Sequence, residues 1–204
     1  PLFYHNPVDP ARVRVVLTGQ HREMLDDAMA FFDISADDDL DVMMDGQSLA
    51  ELTSRMLVKL DAALDRERAD VVLAEGDTTT VLAAALVCLY RRVPFAHVEA
   101  GLRTHDLSAP FPEEGNRVVA SHLAALHFAP TAAAAENLRR EIVPVDRIHV
   151  VGNTVVDALR IATEKIDEGG CFTDTARRGT ARAGQLPPLN MVSGGACTPC
   201  AFSG

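Results

Sequence analysis

Three short stretches of this 204-residue chain place acids beside glycines and bases: "EGDTTT" (75–80), "HVEAGLRT" (97–104) and "PFPEEGNR" (110–117). Carboxylates that converge can move protons or grip sugar hydroxyls, and like charges held close push one of the pKa values upward. Asp77, Glu99 and Glu113 are the candidate acids, and Arg103 is a nearby cation. A fourth stretch, "TGQHREML" (18–25), brings Gln20, His21 and Arg22, groups that suit a sugar or a diphosphate. Each stretch also has a plain structural reading. Asp77 can cap a helix, with the threonines filling its first turn. Glu99 and Arg103 can form an ion pair, and Glu113 and Glu114 can complement a helix dipole. Residues 20–22 can be a solvated helix start. Position favours chemistry: the three acidic clusters fall at successive strand-to-helix junctions, where open α/β sheets bind ligands.

The frame follows from hydrophobic periodicity. From Arg12 to about Ile166 strands and helices alternate. "VRVVLTG" (13–19) is short and β-branched, a strand, and "REMLDDAMAFF" repeats apolar residues at helical spacing. After an acidic turn, "ISADDDLD", a long helix runs from Ser48 to about Arg68, with Ser48 and Glu51 forming a capping box. "DVVLAE" (70–75) is a strand, Thr78 to Tyr90 a buried helix, and "VPFAHVEA" a strand. If that strand stays regular, His97 shares a face with Glu99. Pro112, Glu113 and Glu114 open a helix towards Ala124. "ALHFAP" is a strand, Thr131 caps a helix, "RIHVVG" is a strand, and Asn153 caps the last helix. The pattern predicts an α/β fold: a Rossmann-like parallel sheet with helices on both faces.

Composition narrows the function. Hydrophobic residues at 48% and charged residues at 24% are globular values. The net charge of −10 argues against a nucleic-acid surface, which needs clustered Lys and Arg. No apolar run reaches the roughly 18 residues of a membrane span, and no signal peptide opens the chain. Cys88, Cys171, Cys197 and Cys200 make no disulfide framework at this length, so a cytoplasmic setting is expected. The C-x-x-C at Cys197 and Cys200 lacks the further ligands that zinc needs, and no metal site is predicted. G-x-G-x-x-G, Walker A, H-E-x-x-H and G-x-S-x-G signatures are all missing.

"TGQHREML", "GDTTT", "HVEAGLRT", "PEEGNR" and "VGNTVVDAL", in this order from Val13 to Ile166, strongly resemble the blocks of the non-hydrolysing UDP-N-acetylglucosamine 2-epimerases. The resemblance implies interconversion of UDP-N-acetylglucosamine and UDP-N-acetylmannosamine, which supplies bacterial surface polysaccharides. UDP is eliminated to give 2-acetamidoglucal, then added back with the opposite C2 configuration. It implies no metal or redox cofactor, and homodimers in the intact family. The family architecture is the glycosyltransferase-B type, two Rossmann-like domains around a cleft. Carried over, the catalytic acids are Asp77, Glu99 and Glu113, with Asp77, Glu99 and Arg103 touching substrate. Gln20, His21 and Arg55 match the positions where bacterial members bind a second UDP-sugar as activator.

The sequence also departs from that family. The usual first strand with its "GTRPE"-type loop does not precede Val13, so residues 1–11 are expected to be irregular. Residues 12–168 are expected to form the Rossmann-like domain without its central first strand. The 13–19 strand must then pair directly with the 70–75 strand or leave bare edges. Residues 169–204, rich in Gly, Pro, Ser, Thr and Ala, are expected to be a disordered tail where the family has its second domain. Their composition would suit a shifted reading frame. The sequence thus points to a truncated UDP-sugar 2-epimerase. The alternatives are a non-catalytic nucleotide-sugar-binding module and another UDP-sugar enzyme of glycosyltransferase-B type.

Overall fold

The alternation of strands and helices reappears in the computed structural model, which describes residues 13–19 and 22–167. The strands are β1 (Val16–Leu17), β2 (Asp38–Asp39), β3 (Val72–Glu75), β4 (Phe95–Val98), β5 (Leu126–Ala129) and β6 (Ile148–Val150). Between and after them run α1 (Arg22–Phe31), α2 (Leu49–Glu67), α3 (Thr79–Arg91), α4 (Glu113–Leu123), α5 (Ala132–Arg140) and α6 (Thr154–Asp167). β3, β4, β5 and β6 form one parallel sheet in that order, and β1 and β2 form a second parallel pair. This is a Rossmann-like layer with helices on both faces.

Local chemistry sets the element ends. Ser48 and Glu51 form the capping box of α2, and Arg68 closes that helix in a left-handed conformation. Thr131 caps α5 by accepting the Ala134 N–H at 3.1 Å. Asn153 caps α6 by accepting the Val155 N–H at 2.9 Å. On one face of the main sheet, Phe95 packs with Val81, Ala84, Ala85 and Cys88 of α3 and Ala120 of α4. A second cluster joins Ala100 and Ala129 to Ala134, Ala135 and Leu138 of α5. Burial pushes the Cys88 thiol up to about 12, so it stays protonated.

Of the two expected outcomes, the pairing of the 13–19 strand with the 70–75 strand does not form, and β3 is left as an edge strand among the described residues. β1 pairs with β2, which lies inside the segment that reads as an acidic turn. Cations make this strand feasible. Arg14 donates to Asp37 at 2.8 Å and to Glu67 at 2.9 Å, and Arg66 pairs with Asp38. The Leu40 N–H then donates to Leu17 O at 2.8 Å and the Val42 N–H to Thr18 O at 3.1 Å. The β1–β2 pair packs against α2 and α3. Val16, Leu40 and Val42 pack with Leu52, Met56 and Ala83, and the Thr18 and Thr80 hydroxyls lie 3.0 Å apart.

The described residues form part of one compact unit. None of their helices is long and apolar enough to cross a membrane. Residues 1–12 and 168–204, and with them the irregular-terminus, disordered-tail and C-x-x-C expectations, lie outside the described residues.

Candidate active site

The register pairs Glu75 at the end of β3 with Val98 at the end of β4, so both strands leave the sheet at one edge. Gly76 and Asp77 come directly after β3, and Glu99 directly after β4. Gly76 turns at φ +85° while its N–H still donates to Val98 O at 3.1 Å. Glu99 turns at φ +63°, a left-handed conformation that costs a non-glycine residue about 1–3 kcal/mol. The next two residues hold it there. The Ala100 N–H donates to Phe128 O at 3.1 Å, and Gly101 at φ +88° comes so close to α5 that a Cβ would lie 2.3 Å from Ala134 O.

That turn corrects one expectation: His97 and Glu99 do not share a face, because the strand stops at Val98. His97 is fully buried and stacks on Phe95, with Nε2 2.7 Å from Gly76 O. Burial pushes its pKa down to about 4, outweighing the Gly76 hydrogen bond that acts the other way. A neutral ring therefore donates from Nε2 to the Gly76 carbonyl beneath the Asp77 turn.

Asp77 is not the helix cap of the plain reading; the N-cap of α3 is Thr78, without a side-chain cap bond. The Asp77 carboxylate instead accepts from Arg117 Nη2 at 2.6 Å, and its carbonyl accepts from Asn116 Nδ2 at 2.8 Å. Arg117 also lies 3.5 Å from the buried Glu114, one helical turn earlier. Glu114 Oε1 accepts the N–H groups of Thr104 at 3.0 Å and His105 at 2.9 Å. Burial alone would raise the Glu114 pKa, but those two N–H groups, Arg117 and Arg103 together hold it below the ordinary value.

Glu99 has different company. Its Oε1 accepts from Asn153 Nδ2 at 3.3 Å, and Glu75 and Asp77 lie within electrostatic reach. Desolvation comes first, then Glu75, in raising its pKa; Asp77 adds to the rise, while Asn153 and Arg117 oppose it. A carboxyl tuned upward beside a carboxylate held by a cation is an arrangement suited to proton transfer. Glu113 is half-buried at the first residue of α4, one turn before Arg117. No group of three or more His, Cys, Asp or Glu among the described residues is placed to hold a metal ion.

Comparison with known proteins identifies the family. A family model described as UDP-N-acetylglucosamine 2-epimerase matches residues 8–181. The chain belongs to that family. It is 54% identical to a UDP-N-acetylglucosamine 2-epimerase of Yersinia pestis over 151 residues, 74% of this chain and 40% of the relative. With the Escherichia coli K12 enzyme of the same name it shares 50% over 160 residues, 78% of this chain and 43% of the relative. The crystal structure of the Neisseria meningitidis UDP-GlcNAc 2-epimerase bound to UDP-GlcNAc superposes with a TM-score of 0.73 at 44% identity. That match covers 81% of this chain and 43% of that one. The Methanocaldococcus jannaschii enzyme in complex with UDP-GlcNAc and UDP gives 0.69 at 36% identity, covering 81% and 44%. The chain thus spans about two fifths of the length of these relatives, and what it matches is one half of a glycosyltransferase-B architecture.

Within this epimerase fold, Arg103 stands apart from the acids. Its side chain is 0% exposed. Nε and Nη2 donate to the two carboxylate oxygens of Glu141, both at 2.7 Å, Nη2 also donates to Ser121 Oγ at 2.9 Å, and Nη1 to Leu102 O at 2.7 Å. The Glu99–Arg103 ion pair therefore does not form, and the Arg103 guanidinium is engaged by Glu141, Ser121 and Leu102 instead. Arg55 is engaged as well, donating to Val42 O at 2.7 Å and to Gln47 Oε1. Gln20 and His21 lie outside the described residues. Sequence reasoning missed Glu75, Asn116, Arg117 and Asn153 as members of this cluster. For Asn116 and Arg117 a signal existed, since they sit one helical turn after Pro112–Glu114.

Proposed function

We propose that this chain is part of an enzyme that interconverts UDP-N-acetylglucosamine and UDP-N-acetylmannosamine. The observation that carries the reading is the meeting of Asp77, Glu99 and Arg117 at the edge where β3 and β4 end. Inversion at C2 needs a base to take the C2 proton and an acid to return one to the other face. Each positioned transfer is worth about 10² to 10⁴ in rate. Glu99, with its pKa raised by burial and by Glu75, and its place between Asn153 and the other acids, suits the exchange of a proton. Asp77 and Glu113 complete the set of acids assigned to the substrate sugar. The departing UDP needs cationic or N–H stabilisation, which the described residues supply only in part through Arg117. Elimination and re-addition of UDP, with 2-acetamidoglucal between, is the reaction course we assign.

The same proposal includes a homodimer for the whole protein and a cytoplasmic setting, consistent with the free, buried Cys88. It includes an activator UDP-sugar site around Gln20, His21 and Arg55, where an incoming phosphate has to compete with Val42 O and Gln47 for the Arg55 guanidinium. The test is incubation with UDP-N-acetylglucosamine in D₂O. Deuterium appearing at C2, together with the epimer, is the expected result, and Glu99→Gln lowers it by about 10² or more with UDP-sugar binding retained. Binding without any deuterium entry identifies this chain as a nucleotide-sugar-binding module instead.

A further inference from the structure

The first two residues that open α6 each meet a different acid. Thr154 Oγ1 donates to Glu75 Oε1, and Asn153 Nδ2 donates to Glu99 Oε1 at 3.3 Å. From sequence, Asn153 is only a helix cap. We propose that Asn153 is a positioning residue for Glu99, tying its carboxylate to the first turn of α6 and favouring the ionised form.

The amide orientation is set by the cap itself. Asn153 Oδ1 accepts the Val155 N–H at 2.9 Å, so the NH₂ end must face the other way, toward Glu99. An NH₂ group can only donate, so it stabilises a carboxylate oxygen and gives nothing to a carboxylic O–H. The charged groups facing Glu99 from the other elements are Glu75 of β3, Asp77 of the turn after it and Arg117 of α4. Glu75 and Asp77 oppose a second negative charge. Arg117 favours it, but its guanidinium is already engaged by Asp77 at 2.6 Å and lies 3.5 Å from Glu114. Asn153 is the uncharged donor in this set. It is carried on an element fixed at its far end, where Lys165 donates to Phe31 O at 2.9 Å and pairs with Asp33. The amide is therefore held by a helix anchored at both ends, rather than by a free loop.

Two variants separate the tether from the cap. Asn153→Ser keeps a capping oxygen but is too short to reach Glu99. Asn153→Asp keeps the cap and puts a carboxylate where the NH₂ was. The readout is the carboxyl carbon-13 shift of Glu99 against pH in the glutamate-labelled chain. The titration midpoint is expected to rise by about half a pH unit or more in Asn153→Ser, the effect of one lost hydrogen bond to a charged group. It rises further in Asn153→Asp, while both variants melt within a few degrees of the parent. A Glu99 midpoint that stays put in both variants overturns the proposal, as does a rise seen only where α6 has lost its helicity. The catalytic meaning rests on reading Glu99 as a proton-transfer group, and deuterium entry at C2 tests that separately. If the midpoint moves while the acid limb of turnover does not, the tether stands and the role of Glu99 in epimerisation falls.

Discussion

Replacing Glu141 by leucine tests the assignment of Arg103 to the framework. Glu141 is the C-cap residue of α5, and Arg103 lies in the loop after β4, so their bidentate bond ties the end of a helix to the segment that holds Glu99. Removing the carboxylate leaves a guanidinium with 0% side-chain exposure, hydrogen-bonded only to the Ser121 hydroxyl and the Leu102 carbonyl, with Glu114 within electrostatic reach. Breaking a buried ion pair on one side costs about 3–5 kcal/mol. The Glu141 side chain is 22% exposed, so water can reach the vacated place, and the lower end, about 3 kcal/mol, applies. For a domain of this size about 3 kcal/mol lowers Tm by roughly 6–12 °C.

Thermal and urea unfolding followed by circular dichroism reads the loss. Arg103→Met removes the cation, and the double variant removes both charges, leaving apolar groups of similar volume. The double variant is expected to recover most of the stability lost by Glu141→Leu, because apolar replacement of a buried pair is often neutral. A Glu141→Leu loss below about 1 kcal/mol, or no coupling in the cycle, refutes the buried-pair argument. An Arg103→Met variant that melts normally but no longer binds UDP-sugar returns Arg103 to the substrate.

Groups beneath the same edge give two further expected outcomes. His97 has a folded pKa of about 4 against an ordinary 6.5, so between those values the unfolded chain takes up a proton that the folded chain refuses. Its contribution is complete above about pH 6.5 and falls by about 3 kcal/mol as pH drops to 4; urea midpoints for His97→Gln should show a correspondingly flatter slope across that window. Gly101→Ala puts a Cβ 2.3 Å from Ala134 O at a φ of +88°, so a loss of about 3 kcal/mol or more is expected in the thermal melt, and near-parental stability would show that α5 can yield.

The frame was legible because its signals are local. The Ser48–Glu51 box lies within one turn, and β-branched runs bounded by helix caps mark each strand without any long-range information. β2 was not legible, because Asp38 and Asp39 carry no strand signal of their own. They become a strand through pairing with β1, beside Arg14 and Arg66, which lie 23 and 28 residues from their partners Asp37 and Asp38. The site divides along the same line. Asp77 and Glu99 could be placed at strand ends from sequence, but the groups that decide their charge come from afar. Arg117 lies 40 residues from Asp77, Asn153 lies 54 from Glu99, and Glu141 lies 38 from Arg103. Proximity in sequence suggested Arg103 as the counter-ion of Glu99. The left-handed turn at Glu99 sends the two side chains to different partners.

That turn bears on why three acids can share one edge of the sheet. Glu75, Asp77 and Glu99 would repel one another if left alone, and each is given a different kind of donor. Asp77 receives the Arg117 guanidinium, Glu75 the Thr154 hydroxyl, and Glu99 an amide at 3.3 Å, the longest of the three contacts. A cation makes the stronger, charge-assisted hydrogen bond, whereas the amide offsets only part of the burial and repulsion at Glu99. The carboxyl to which we assign the proton exchange is thus the one with the longest contact, and its pKa is raised. Exchanging these partners should exchange the behaviour. A cation delivered to Glu99 would fix it as a carboxylate and remove the proton exchange that we assign to it, even with every acid still in place.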